Sequence, residues 1–63
     1  MKKAKIREII IYDGWLFPTE FDGEKIKSYT IEGGNLLIID FTDGSKVITT
    51  CKFYIDLEYT NEN

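Results

Sequence analysis

Lys46-Val47-Ile48-Thr49-Thr50-Cys51-Lys52-Phe53-Tyr54-Ile55-Asp56-Leu57-Glu58-Tyr59 holds the clearest periodicity in the chain. Val47, Thr49, Cys51, Phe53, Ile55, Leu57 and Tyr59 alternate with Lys46, Ile48, Thr50, Lys52, Tyr54, Asp56 and Glu58. Successive side chains of a strand point to opposite faces, so a period of two predicts a strand with the odd positions inward. A helix over 52–59 could gather Phe53, Tyr54 and Leu57, but it would turn Ile55 away from that stripe. The run at 45–59 is longer than an ordinary strand. It is therefore expected to bend, or to break near Thr50–Lys52, and to serve both halves of a small barrel.

Working outward, the segment just before this run fixes its partner. Asp43-Gly44 and Gly33-Gly34-Asn35 are turn sequences, because glycine takes a positive φ at low cost. A three-residue loop, Thr42-Asp43-Gly44, pairs Asp40 with Lys46, Ile39 with Val47 and Leu37 with Thr49. A three-residue loop at 33–35 pairs Ile31 with Leu37, Tyr29 with Ile39 and Glu32 with Leu36. Both choices agree on one face, and a slip of one residue would invert it. That face, the expected core, is Tyr29, Ile31, Leu37, Ile39, Phe41, Val47, Thr49, Cys51, Phe53 and Ile55. The opposite face carries Leu36, Ile38 and Ile48 among Thr30, Asp40, Lys46 and Thr50. Three large aliphatics there need a cover, from the N-terminal hairpin or from another chain.

Two more Asp-Gly pairs, at 13–14 and 22–23, complete an all-β meander of five strands at about 4–12, 15–21, 24–32, 36–42 and 45–59. The expectation is a single small domain over 1–63, an SH3-like or OB-like partly closed barrel or a strongly bent sheet, with 60–63 as a frayed tail. With Asp13-Gly14 as a two-residue loop, Tyr12 opposes Trp15, Ile11 opposes Leu16 and Ile10 opposes Phe17. Pro18 cannot donate to a ladder, so the second strand is an edge there or turns away after Phe17. Phe21 and Ile26 bracket Asp22-Gly23 and are expected to return to the core.

Size and charge narrow the function. A 63-residue chain buries only about 60% of its unfolded surface, and a core of that size calls for outside support. One cysteine, Cys51, leaves no internal disulfide, and the absence of histidine removes the commonest metal ligand and general base. Cys51 sits on the inward face without a base and reads as a small core residue. A lone thiol and the lack of an adequate signal-peptide apolar run point to the cytoplasm. Lys2, Lys3, Lys5 and Arg7 hold four of the eight basic residues. The rest of the chain sets four lysines against all eleven carboxylates, a net of −7, which argues against duplex nucleic acid.

No catalytic, metal or cofactor site is expected, nor a membrane or small-molecule ligand. The leading expectation is a non-enzymatic protein-interaction module, an adaptor, subunit or inhibitor, that associates with a protein partner or with a copy of itself. Its interface residues are Tyr12, Trp15 and Phe17 on the first hairpin and Leu36, Ile38 and Ile48 on the second face, since aromatic anchors ringed by polar groups make interaction hot spots. One alternative is single-stranded nucleic-acid binding through the basic first strand and Trp15. Another is an acidic inhibitor in which Glu20, Asp22, Glu24, Asp40 and Asp43 mimic phosphates for a basic protein.

Overall fold

Alternating aliphatic and aromatic residues build six strands in the structure, a computed structural model that describes residues 2–61. They are β1 (Lys2–Ile11), β2 (Thr19–Asp22), β3 (Ile26–Glu32), β4 (Leu36–Phe41), β5 (Lys46–Thr49) and β6 (Phe53–Asn61). A single 3-10 turn, Gly23–Lys25, separates β2 from β3. The strands make two three-stranded antiparallel sheets, ordered β2-β1-β6 and β3-β4-β5. Five expected strands have become six because the run at 46–59 breaks at Thr50–Lys52. There the Cys51 amide donates to the Thr49 hydroxyl at 3.0 Å instead of to a neighbouring strand.

The second sheet has the register that its turns dictate. Asp40 faces Lys46, Ile39 faces Val47, Ile31 faces Leu37 and Tyr29 faces Ile39. Gly44, at φ 91°, closes the β4–β5 loop, and the Ser45 amide and hydroxyl both donate to the Asp43 carboxylate, at 2.9 and 2.6 Å.

The N-terminal half departs from expectation. β1 pairs with β2 so that Ile11 faces Thr19 and Ile9 faces Phe21, and residues 12–18 form the connection. The pairs Tyr12–Trp15, Ile11–Leu16 and Ile10–Phe17 do not form. Pro18 lacks an N–H and holds the residue before it extended, so the ladder starts at Thr19. Asp22-Gly23 is not a hairpin turn either, since β2 and β3 lie in different sheets. Asp22 caps the 3-10 turn, accepting from the Glu24 amide at 3.0 Å. Gly23 lies against β1 at its bulge, where a Cβ would overlap the Ile6 carbonyl and stand 2.8 Å from that of Arg7. At the other end β6 extends to Asn61, so Thr60 and Asn61 pair with Lys3 and Lys2 rather than fraying; residues 62 and 63 lie outside the described residues.

The core joins the two sheets. Ile9 and Ile11 of β1, Ile26 of β3, and Leu37 and Ile39 of β4 are buried, each such side chain contributing about 1.5–3 kcal/mol. Phe21, Tyr29, Phe41, Val47, Cys51, Phe53 and Ile55 pack around them, and the Phe21 and Phe41 rings meet at 5.2 Å. Ile31 does not belong to this core. It sits beside the 33–35 turn at the end of an edge strand and is 43% exposed. The N-terminal strand thus fills the core from inside rather than covering Leu36, Ile38 and Ile48.

The molecule measures 42 × 25 × 24 Å, with a radius of gyration of 12.6 Å against about 10.6 Å for a compact chain of this length. The longest ladder is β1–β6, which runs from Lys2–Asn61 past Ala4 and an exposed Tyr59 to Ile11–Phe53.

Candidate docking surface

Residues 12–18 put three consecutive apolar side chains into solvent. Trp15 is 93% exposed, Leu16 68% and Phe17 79%. The loop that carries them is pinned at several points. The Tyr12 amide donates to the Lys52 carbonyl at 2.8 Å, and the Thr19 hydroxyl donates to Asp13 Oδ1 at 2.8 Å. Gly14 admits the Phe17 carbonyl so closely that a Cβ would lie 2.7 Å from it. The backbone thus folds back on itself between Gly14 and Phe17, with its large side chains left outside. At its root, half-exposed Tyr12 and Tyr54 border a shallow pocket with Lys52 and Phe53.

With aromatic side chains worth about 150–250 Å² each, Tyr12, Trp15, Leu16, Phe17 and Tyr54 expose on the order of 600 Å². Exposed apolar area of that order at one end of a small domain matches the upper range of the largest patches on ordinary monomers.

Beside this tip, the outward face of β2-β1-β6 is acidic. Ile9 and Ile11 point to the core, so Glu8 and Ile10 point away. Register then sets two rows across the sheet: Tyr54, Ile10 and Glu20, followed by Asp56, Glu8 and Asp22. Glu8 stands between two aspartates. Arg7, the extra residue of the bulge, lies 3.7 Å from Asp56, and Lys5 faces Glu58. The basic start of the chain is thus set against the acidic last strand. Among the described residues no ion pair reaches Glu8, Glu20 or Asp22.

The remaining expected interface residues lie elsewhere. Leu36, Ile38 and Ile48 are on the outward face of β3-β4-β5, with Ile38 directly opposite Ile48. Leu36 and Ile38 are half-buried and Ile48 is 60% exposed. Asp40 and Lys46 pair at 3.7 Å on that face, and Glu32, opposite Leu36, adds a further carboxylate to it. The six residues therefore form two surfaces, not one.

A groove of about 680 Å³ opens at the side of the sandwich. Phe21 and Phe41 line it together with Glu20, Asp22, Asp43 and Lys25. The Ser45 hydroxyl, and then its amide, hold the Asp43 carboxyl below the ordinary aspartate range.

Sequence reasoning missed Leu16 and Tyr54 as members of the patch. Tyr54 was readable as outward from its even position, whereas Leu16 was hidden by the assumption that it paired with Ile11. Neither a family model, nor a curated protein, nor a solved structure matches this chain.

Proposed function

We propose that this chain is a small, non-enzymatic protein-interaction module whose principal anchor is the loop at 12–18. Trp15, Leu16 and Phe17 carry the reading. Each exposed apolar side chain forgoes about 1.5–3 kcal/mol of burial, and a fold has no use for three together on a closed turn. The finer architecture we take as an SH3-like or OB-like small barrel. In support, the 3-10 turn joins β2 to β3 and residues 50–52 join β5 to β6, so each link carries the chain from one sheet to the other.

A photo-crosslinking amino acid at Leu16, with a second at Asn35 as an exposed control, tests the anchor in the native cell. Discrete adducts from position 16 and none from position 35 are expected. The same diffuse labelling from both would remove the anchor.

Self-association is a second reading, carried by Ile48. Its side chain is exposed on the face it shares with Leu36 and Ile38, where Asp40 is paired with Lys46, and such an apolar row suits sheet-on-sheet packing with a copy. Light scattering of the wild type and of Ile48→Asp separates the two states: a dimer that the substitution turns into a monomer supports it, and a wild-type monomer ends it. Single-stranded nucleic-acid binding has less support, because Lys5 and Arg7 face Glu58 and Asp56, and Trp15 lies in a segment rich in carboxylates.

A further inference from the structure

We infer that the aromatic loop and the acidic face beside it form one docking surface for a basic protein. The partner offers an apolar pocket to Trp15, Leu16 and Phe17, and arginines or lysines to Glu8, Glu20 and Asp22. This inference rests on the reading of the loop as an anchor and adds the chemistry of what the anchor meets.

Charge selects the occupant. From Glu8 to Glu24 the chain has five carboxylates and no basic residue. Folding does not disperse them. Asp56, Glu8 and Asp22 stand in register on adjacent strands, and like charges directly opposite one another destabilise a sheet. Arg7 offsets one of them at 3.7 Å, and Lys52 borders the patch beside Tyr12. Lys25 borders Glu20 and Asp22 in the neighbouring groove, but among the described residues no ion pair reaches Glu8, Glu20 or Asp22, and these carboxylates lie on the sheet that leads into the apolar tip. A basic partner relieves the repulsion on binding and is drawn in by the field beforehand.

The same charges disfavour the two rival occupants. A second copy docking through this surface would bring matching acidic faces together across a two-fold axis. Membranes with anionic lipids recruit lysine and arginine around an aromatic anchor, and here the sign is reversed.

Trp15 is the chain's one tryptophan and reports directly on the site. The probes are three amphipathic helical peptides with one leucine face and a polar face of lysine, glutamine or glutamate. Vesicles of phosphatidylcholine, with and without phosphatidylserine, complete the set. The lysine peptide is expected to blue-shift Trp15 emission saturably and to bind at least about tenfold more tightly than the glutamine peptide at low salt, an advantage that added salt erodes. Glu8→Gln with Glu20→Gln should remove most of that advantage. Trp15→Ser with Phe17→Ser should abolish binding of the labelled lysine peptide, read by anisotropy.

Equal binding of the lysine and glutamine peptides overturns the charge inference and leaves the anchor standing. No shift with any probe overturns both. Partition into either vesicle assigns the loop to a membrane instead. A concentration-dependent blue shift of the protein alone assigns it to a second copy.

Discussion

A methyl group at position 23 has nowhere to go. Gly23 touches the backbone of β1 at its bulge, and Ile6, paired with Leu57, cannot withdraw its carbonyl without disturbing the β1–β6 ladder. Gly23→Ala is expected to cost about 3 kcal/mol, as overpacking against rigid atoms does, and to lower Tm by more than about 10 °C. Gly34→Ala is the control: at φ 82° with open space around it, the substitution meets only backbone strain, about 1 kcal/mol. Thermal melts of the two variants should rank in that order, and equal losses would reject the close approach. Asp43 gives a residue-scale pH effect. Its folded pKa is depressed by the Ser45 hydroxyl and amide. The turn's contribution is therefore complete above the ordinary aspartate value, about 3.9, and fades as pH falls through the lower folded value. An NMR titration of the Asp43 carboxyl should show that depressed midpoint, and Ser45→Ala should move it back towards the ordinary range.

Elements differ in how far the sequence announced them. The β3–β4–β5 meander was legible because short glycine turns fix register locally, and Asp40–Lys46 and Ile39–Val47 follow from loop length alone. β1–β2 was not legible. Its connection depends on Pro18 ending the ladder and on Gly14 admitting the Phe17 carbonyl, and only the first leaves a mark in the sequence. The aromatics of the candidate site could be named, but not the row Asp56–Glu8–Asp22. That row requires the pairing of the chain's two ends and a bulge at Arg7 to set its phase. It also predicts an outcome. Removing the middle charge by Glu8→Gln should stabilise the isolated protein by about 0.2–1 kcal/mol at low salt, with less gain at high salt, because the lost contact is repulsive. Urea unfolding at two salt concentrations measures this. A destabilised variant would mean that Glu8 is held by attraction, and the acidic face would lose its meaning as stored repulsion.

For the whole molecule, the surface area decides what sort of protein this is. The chain exposes 4935 Å², against about 4,200 Å² for a compact monomer of 7.3 kDa. The excess is close to the roughly 800 Å² that each partner contributes to a standard interface. Among the described residues five make the buried core, whereas Trp15, Leu16 and Phe17 in the loop at 12–18 and Tyr59 on β6 are large apolar side chains left exposed, so the core is small while the surface is extended. Such a division separates binding from folding. Trp15, Leu16 and Phe17 are not members of the core cluster, and replacing all three by serine should change stability by no more than about 0.5 kcal/mol. Trp15 supplies a stricter check. In most domains unfolding moves a tryptophan from the interior into water and shifts its emission to the red, but here the only indole is already 93% exposed in the native state. Urea unfolding of the free protein should therefore leave the wavelength of Trp15 emission nearly constant, while circular dichroism records a cooperative loss of sheet. A native spectrum already shifted to the blue, moving red along the circular-dichroism transition, would place the indole in a packed environment and remove the exposed anchor on which the binding function depends.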